Sequence, residues 1–209
     1  MLANILDLNQ YKILRKIGFG NFSDVYKIKS NQKEDFFAAK IMKSENKELS
    51  ESNYRNLERE INISSDISYP LVIKCFGYSP VSFDNKPKHV IITELMNNGS
   101  LKDIIEKSVE DQQKIGWNDT LKLINIYGIA YVLSYLPSKK ILHRDLKPEN
   151  IYVDKFLCPK LGDFGLSKKY DSSSTQSIAE VKGSPLYIAP EIWIKAEYTE
   201  KVDVYAFAM

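Results

Sequence analysis

The sequence has few of the residues that build disulfide frameworks or zinc sites. Of its 209 residues two are cysteines and two are histidines, and neither Cys75 nor Cys158 has a neighbour at metal-ligand spacing. We therefore expect neither a disulfide-stabilised domain nor a zinc protein. Isolated thiols are typical of a reducing compartment, so the sequence predicts a cytoplasmic protein.

An excess of charge of one sign is also missing. The chain has 29 Lys and Arg against 27 Asp and Glu, which gives a net charge of +2. Proteins that bind nucleic acid through its phosphates usually carry a clear basic excess, so the sequence predicts no nucleic-acid partner.

The sequence lacks long hydrophobic runs as well. The longest apolar stretch, Ile124–Leu136, is interrupted by polar residues and glycine, and it is shorter than the roughly 20 apolar residues that cross a bilayer. Residues 1–10 show neither the basic lead nor the cleavage site of a secretion signal. We therefore expect no membrane span. The length of 209 residues is enough for one domain or two small lobes, and 44% hydrophobic residues is ordinary for a globular protein.

The most informative stretch is Ile141–Ile151, where Pro148 prevents a continuous helix and predicts a loop. It carries a carboxylate at Asp145, a cation at Lys147 and an amide at Asn150. A carboxylate that accepts a hydroxyl proton, a lysine that holds a phosphate and an amide that binds a hard metal ion suit phosphoryl transfer. The alternative is a polar surface loop that contains these residue types by coincidence.

A second carboxylate, Asp163, begins the sequence Asp-Phe-Gly at 163–165, where a metal ion could bridge it to Asn150. Together the two stretches resemble the eukaryotic-type protein kinase family, whose catalytic loop reads His-Arg-Asp-Leu-Lys-Pro-x-Asn and whose metal loop reads Asp-Phe-Gly. The resemblance implies an α+β, two-lobed protein kinase fold, with an antiparallel β-rich N-lobe that holds one main helix and a mostly helical, incomplete C-lobe. The expected parts are an N-terminal extension (1–10), an N-lobe (11–94), a hinge (95–98) and a C-lobe (99–209).

A glycine-containing turn between two predicted strands lies near the N-terminus. In a dinucleotide-binding unit these glycines would open a helix, but here the chain continues as a strand, so that alternative fails. The turn is similar to the kinase loop that covers phosphates, with serine in place of the family's third glycine. The resemblance assigns to ATP binding the residues Gly18, Phe19, Gly20, Asn21, Phe22, Ser23 and Val25.

A lysine and a glutamate are expected to form the ion pair that holds the ATP phosphates. Phe-Ala-Ala-Lys40 is similar to the Val-Ala-Ile-Lys motif at the end of the third kinase strand. Glu60 lies in a helix predicted from about Ser50 to Ile67. Glu58 is a rival by residue type, but the pattern around Glu60 fits the family better.

The stretch Thr93–Met96 followed by Asn97–Ser100 looks like the hinge between the lobes, although a plain strand and turn would look the same locally. Thr93 would guard the back pocket, and the backbone of Glu94 and Met96 would face adenine. The other residues assigned to ATP are Ala38, Ser100 and Tyr152. Strands are also predicted over 71–78 and 89–94. A helix capped by Asn118 or Asp119 is predicted to pack its core through Leu121, Ile124, Tyr131, Val132 and Tyr135.

The polar segment that follows Asp-Phe-Gly corresponds to the family's activation segment. Its hydroxyls at Ser172–Ser177 are candidates for phosphorylation by an activating kinase or by the protein itself, with Arg144 as the phosphate partner. A polar loop would look the same. Glu180 falls on the family's main phosphorylated position, and we hypothesise that its carboxylate pairs permanently with Arg144.

Other motifs refine the resemblance. Lys147 and Gly183-Ser184-Pro185 are similar to serine/threonine-specific members, and the run that begins at Asp203 is similar to the tyrosine-kinase-like group. In the family this aspartate holds the catalytic-loop backbone from a buried helix. Because the family's domain normally continues further, we expect a catalytic domain truncated within a core helix, with Glu191 lacking its arginine partner.

The resemblance implies an enzyme that transfers the γ-phosphate of Mg²⁺-bound ATP to serine and threonine hydroxyls of protein substrates. Asp145 would orient and deprotonate the hydroxyl, and Lys147 would neutralise the γ-phosphate. Lys40 and Glu60 would position the other phosphates. The residues assigned to Mg²⁺ are Asn150 and Asp163.

Two departures support an alternative, a pseudokinase that acts as an interaction or scaffold module. Ser64 stands where the family stacks a bulky apolar side chain between its helix and Phe164, and Tyr152 stands beneath adenine in place of leucine or methionine. The intact Lys40, Asp145 and Asp163 favour the enzyme. A small-molecule phosphotransferase of the same fold is disfavoured by the Ala-Pro-Glu segment at 189–191 with Gly183-Ser184, which is a peptide-docking feature in protein kinases.

Overall fold

The computed structural model describes residues 4–20, 23–43, 51–110, 116–170, 183–195 and 199–209. The chain falls into two compact units, Met1–Leu95 and Met96–Met209, so the division lies at the start of the stretch expected to be a hinge. Four of the sequence predictions concern residues outside the described ranges: Asn21, Phe22, the Ser172–Ser177 segment and Glu180.

The first unit is built on a five-stranded antiparallel sheet with the strand order β1-β2-β3-β5-β4. The strand predicted from residue 71 begins later, because Val72 N donates to Tyr69 O (3.0 Å) and closes a turn before the ladder starts. The strand bounds are β1 Tyr11–Phe19, β2 Ser23–Ser30, β3 Phe36–Met42, β4 Cys75–Ser79 and β5 Val90–Glu94.

The two faces of this sheet pack against different partners. One face forms a cluster of buried residues made by Leu8, Ile28, Ala39, Val90 and Ile92. The other packs on helix α1, Glu51–Asp66, through a cluster of Met42, Leu57, Ile61 and Ile91. Because side chains alternate along a strand, the α1 face also carries Lys40 and Ala38 of β3.

The second unit combines helices with two short strand pairs. β6 (Ile141–Leu142) pairs with β9 (Lys168–Lys169), and β7 (Ile151–Val153) pairs with β8 (Pro159–Leu161), both antiparallel. β6 and β7 therefore hold the two ends of the loop that carries Asp145. The helices are α2 Leu101–Glu110, α3 Asp119–Ser138, α4 Pro190–Lys195 and α5 Lys201–Ala208.

The predicted N-terminal cap of α3 is formed by Asn118, whose side chain accepts a hydrogen bond from Leu121 N (3.0 Å). The predicted core face of this helix was wrong in part: Ile124 is 41% exposed and Tyr131 is 63% exposed. Apolar residues occur all around α3, so their spacing does not define one face. The buried residues are Asn125, Gly128, Ile129, Val132 and Leu136.

A buried polar residue explains part of the difference between the predicted and the observed core face of α3. Asn125 is buried because its Nδ2 donates to Leu121 O and to Leu157 O, both at 2.9 Å, and so ties α3 to the turn before β8. Hydropathy places an asparagine outside the core, whereas its hydrogen bonds bring it inside. Among the described residues, no helix is long and apolar enough to cross a membrane.

Candidate active site

The first unit contains the predicted lysine–glutamate pair. Lys40 Nζ lies 2.7 Å from both carboxylate oxygens of Glu60, which extends from α1 toward β3. The side chains are 25% and 14% exposed, so solvent screens this charge-assisted contact less than it screens a surface ion pair. The rival carboxylate, Glu58, is exposed on α1 and acts on the pKa of His89.

The glycine-containing turn joins β1 and β2. Gly18 pairs with Val25 across the two strands, and Gly20 N donates to Ser23 O (2.8 Å), which closes the turn. Lys43 Nζ donates to Gly20 O (2.7 Å) from the end of β3. Phe19 is exposed at this end of the hairpin. A hydrogen bond from Lys16 lowers the pKa of Asp24, so the base of the turn carries a charged pair.

The other residues assigned to ATP in the first unit lie on neighbouring strands. Ala38 of β3 is directly opposite Thr93 of β5, and Val25 is directly opposite Lys40, so all four side chains share the α1 face of the sheet. Glu94 N donates to Lys74 O (3.0 Å), and Thr93 Oγ donates to Glu94 O (3.3 Å). The backbone of β5 is therefore held at its C-terminal end.

In the second unit, Met96 is half-buried and Ser100 and Tyr152 form an isolated β-bridge. The Ser100 hydroxyl is engaged locally: it donates to Asp103 Oδ2 (2.7 Å) and accepts from Asp103 N (3.2 Å). This reciprocal pair caps α2. Tyr152 is half-buried in β7, opposite Lys160.

Asp145 lies at the centre of a hydrogen-bond network in the second unit. Its Oδ2 accepts from Asn150 Nδ2 (2.8 Å) and lies 2.9 Å from Lys147 Nζ. Its Oδ1 accepts from the Ser184 hydroxyl (3.0 Å) and from Ser184 N (3.2 Å). Lys147 Nζ also donates to Ser184 Oγ (2.7 Å), so the three side chains close a ring of contacts.

Ser184 was not among the predicted site residues, since the sequence indicates only serine/threonine specificity and peptide docking for Gly183-Ser184. Gly183 permits this approach: its φ is +127°, and a Cβ there would lie 2.9 Å from Arg144 O. Only glycine allows residue 184 to pass so close to the catalytic-loop backbone. The contact joins positions 39 apart in sequence.

The two residues predicted to bind Mg²⁺ flank one hairpin, one before its first strand and one after its second. Asn150 precedes β7 and Asp163 follows β8, and Gly162 N donates to Asn150 O (2.9 Å), which keeps these ends together. Asn150 Nδ2 donates to Asp145, so the amide oxygen is the atom left to bind a cation. Asp163 is exposed and has a φ of +59°, an unusual conformation for a non-glycine residue.

This donor set fits Mg²⁺, which prefers oxygen ligands and commonly takes one or two from the protein. Within the described ranges no group of three or more His, Cys, Asp or Glu side chains could hold a metal ion. Asn150 and Asp163 would supply the protein ligands of Mg²⁺, an ion that usually also keeps water and takes phosphate oxygens.

The loop that carries Asp145 is held in place by Asp203 of α5. Its carboxylate is buried and accepts from His143 N (2.7 Å) and Arg144 N (2.8 Å). Burial raises the pKa of this carboxyl, while His143 and Arg144 favour its ionised form. Arg144 has a φ of +64°, and the two hydrogen bonds stabilise this unfavourable backbone conformation.

His143 joins the catalytic loop to the Asp-Phe-Gly segment and was not among the predicted site residues. Its ring is fully buried, its Nε2 lies 3.0 Å from Gly162 O, and it packs edge-to-face on Phe164 with the ring centres 5.1 Å apart. Arg144 Nε donates to Leu166 O (2.7 Å). The proposed partner of Arg144, Glu180, lies outside the described residues.

Sequence comparisons with known proteins identify the family of the chain. Residues 11–209 match the protein kinase domain. The chain is 34% identical over 206 residues to the probable serine/threonine-protein kinase drkB of Dictyostelium discoideum. The matched region covers 98% of this chain and 28% of that protein. It is 32% identical over 206 residues to the Aurora kinase of Candida glabrata, which covers 99% of this chain and 54% of that protein.

A third relative is the cAMP-dependent protein kinase type 3 of Saccharomyces cerevisiae, 31% identical over 205 residues, with 97% of this chain and 47% of that protein covered. The chain thus spans about half of these two fungal relatives and less of drkB. The identities are nearly equal across different kinds of kinase, so membership of the tyrosine-kinase-like group stays a prediction. Because the match extends over residues 11–209, the chain belongs to the protein kinase domain family.

Proposed function

We propose that the protein is a protein kinase that transfers the γ-phosphate of ATP to serine and threonine hydroxyls of protein substrates. The observation that carries this proposal is the network in which Asp145 contacts Lys147, Asn150 and Ser184 at 2.8–3.2 Å within the same unit. The names of the relatives support the hydroxyl specificity, since the Dictyostelium relative is described as a serine/threonine-protein kinase.

Asp145 acts on the substrate hydroxyl. Asn150 and Lys147 hold one carboxylate oxygen and Ser184 holds the other, so the side chain is oriented before substrate arrives. The hydroxyl oxygen forms a bond to the γ-phosphorus while the bond from that phosphorus to the bridging oxygen breaks. Asp145 accepts the hydroxyl proton, and ADP leaves with the electron pair.

Two lysines neutralise charge on the transferred group and on the leaving group. Lys147 is near Asp145 and can stabilise the negative charge of the γ-phosphoryl oxygens. Lys40 is held at a defined position by Glu60 and can bind the α- and β-phosphates. Asn150 and Asp163 would hold Mg²⁺, which when bound neutralises phosphate charge and orients the phosphate oxygens.

Further properties follow from the same proposal. The substrates are proteins with accessible serine or threonine, and the Ser172–Ser177 segment is a candidate for phosphorylation by the enzyme itself or by an upstream kinase. The protein acts in the cytoplasm and belongs to the tyrosine-kinase-like group. The motif at Asp203 supports the group, and the isolated cysteines Cys75 and Cys158 support the compartment.

The test is Mg²⁺-dependent transfer of labelled γ-phosphate from ATP to peptides that contain only serine, only threonine or only tyrosine. Asp145→Asn should abolish transfer because the amide cannot accept the proton. Asp119→Asn is the matched control, since that carboxylate is 94% exposed at the start of α3 and should leave transfer unchanged.

Three results would contradict the proposal. Transfer to tyrosine alone would reject the hydroxyl specificity. Transfer to sugars or amines with none to peptides would indicate a small-molecule phosphotransferase. A folded protein that binds ATP without transferring phosphate would indicate a scaffold module, and restoring an apolar residue at Ser64 would then test whether that position is responsible.

A further inference from the structure

The segment Asn4–Leu8, which precedes the first strand, is paired with the edge of the sheet. Leu6 N donates to Tyr78 O (2.8 Å) and Tyr78 N donates to Asn4 O (2.9 Å), so the segment runs parallel to β4. Asn4 Nδ2 adds a weaker hydrogen bond to Phe76 O (3.4 Å). β4 is the last strand of the sheet, so this pairing covers backbone groups that would otherwise form an open edge.

Apolar side chains anchor the same segment. Leu8 is 9% exposed and belongs to the buried cluster with Ile28 and Ile92, and Leu6 packs against that cluster. Ile5 points outward and is 65% exposed. The segment therefore has one buried side and one exposed side, as a strand at a sheet edge does.

Gly77 makes room for this pairing. Its φ is +148°, and a Cβ built on it would lie 2.3 Å from Asn4 O and 2.9 Å from the Leu6 side chain. Any other residue at this position would displace the N-terminal segment or distort β4.

A β-bulge at the same place redirects Tyr78. The register pairs Cys75 with Thr93 but Tyr78 with Ile91, so β4 contains one extra residue between these pairs. Because of this residue, Cys75 and Tyr78 point to the same face of the sheet although they are three positions apart. That face is the one covered by α1.

Tyr78 thus joins two parts of the first unit. Its backbone is bonded to the N-terminal segment, while its side chain packs with Cys75 against the cluster that contains Leu57 and Ile61 of α1. Ile61 is the residue next to Glu60, and Glu60 must reach Lys40 to form their 2.7 Å contacts. The position of this carboxylate depends on how α1 packs against β4.

We propose that Asn4–Leu8 positions α1 and thereby holds Glu60 against Lys40, with Tyr78 as the residue through which it acts. The segment acts as a positioning element: it contacts β4 and the buried cluster and makes no contact with the phosphates. Its catalytic consequence rests on the proposed kinase function, because Lys40 is expected to bind the ATP phosphates. When the segment is displaced, Tyr78 loses two backbone hydrogen bonds, α1 loses a fixed support, and the ion pair opens more often.

The experiment compares four variants of the full chain. Gly77→Ala displaces the segment through the clash with Asn4 O or distorts β4, whereas Leu8→Ala removes the buried anchor of the segment without a substitution in β4. Ile5→Ala is the matched control, since it truncates a large apolar side chain of the same segment that is exposed. Leu8→Met keeps the buried volume and should restore wild-type behaviour.

Two readouts distinguish positioning from general destabilisation. Hydrogen exchange should accelerate in the α1 amides of residues 54–66 in Gly77→Ala and Leu8→Ala, and it should not change in β2 and β3 of the same unit or in α3. The KM for ATP should rise about tenfold in these two variants with a smaller change in kcat, as expected for loss of phosphate binding. Ile5→Ala and Leu8→Met should match the wild type in both readouts.

The results separate this inference from the proposed function. Unchanged α1 exchange and unchanged KM in Gly77→Ala and Leu8→Ala would overturn the inference while leaving the kinase function intact. If the wild type transfers no phosphate, the proposed function fails and α1 exchange alone decides. Acceleration in the two variants but not in Ile5→Ala would support positioning, and equal exchange in all of them would overturn it.

Discussion

The Ser184 hydroxyl donates to Asp145 Oδ1 at 3.0 Å and accepts from Lys147 Nζ at 2.7 Å, so one side chain joins the expected base to the expected phosphate-binding cation. Without this hydroxyl, Lys147 Nζ and Asp145 Oδ2, 2.9 Å apart, would still attract each other. Ser184 therefore supplies orientation rather than charge. It limits the rotation of both side chains around the place where a substrate hydroxyl must bind.

Removal of this hydroxyl should slow phosphate transfer. In Ser184→Ala, Asp145 and Lys147 lose a shared partner, and we expect kcat to fall by about 10- to 100-fold, a typical range for misplaced acid–base groups. Ser184→Thr keeps the hydroxyl and should retain most of the activity. The measurement is steady-state transfer to a serine peptide, with Ser108→Ala as a control at an exposed hydroxyl of α2. Equal rates in Ser184→Ala and the wild type would show that the contact is not used.

Replacement of the carboxylate below the catalytic loop should affect both stability and activity. In Asp203→Asn the amide can accept from either His143 N or Arg144 N, but its NH₂ group then faces the other donor. One buried N–H without an acceptor costs about 1–3 kcal/mol of unfolding free energy. The backbone of Arg144 also loses the support for its φ of +64°, so kcat should fall.

Urea unfolding and phosphate transfer by the full chain measure these two effects. The control is Asp119→Asn, in which an exposed carboxylate becomes an amide without loss of a buried hydrogen bond. An unfolding midpoint in Asp203→Asn equal to that of the wild type would mean that the two backbone hydrogen bonds contribute nothing net.

A buried histidine should make the stability of the first unit depend on pH. His89 is 8% exposed, packs edge-on against Tyr54, and neither ring nitrogen has a hydrogen-bond partner within the described residues. Burial lowers the pKa of His89 below its ordinary value of 6.5, and Glu58 opposes this shift only in part. The folded protein therefore binds fewer protons than the unfolded chain just below pH 6.5.

The sign of the effect follows from this difference. The contribution of uncharged His89 to the free energy of unfolding is fully present above pH 6.5. It is lost as the pH falls from 6.5 toward the lower pKa of the folded protein, by at most about 1.4 kcal/mol per pH unit. His89→Phe keeps an aromatic contact with Tyr54 and cannot be protonated. The wild type should lose more unfolding free energy than His89→Phe between pH 7 and pH 5.5, in urea titrations at each pH. Parallel pH profiles would contradict the prediction.

Local chemistry in the sequence was sufficient to identify much of the candidate site. Asp145, Lys147 and Asn150 lie within six consecutive residues, so one loop brings them together wherever it is placed in the fold. The helix cap at Asn118 and the turn at Gly20 are also local, because each hydrogen bond joins residues three positions apart in the sequence. The pairing of Lys40 with Glu60 depends on tertiary structure, and the family pattern predicted it because both positions stand in recognisable motifs.

Other features were decided only when distant parts of the chain packed together. Ser184 reaches Asp145 from 39 residues away, and its residue type alone does not distinguish it from any other serine. The core face of α3 could not be predicted because apolar residues surround the helix, and two hydrogen bonds bring Asn125 inside. Tyr78 faces α1 because a bulge at Gly77 adds one residue to β4. Composition and spacing thus determined which chemical groups this protein has, and packing decided which of them touch, because hydrogen bonds and burial act between surfaces that are far apart in sequence.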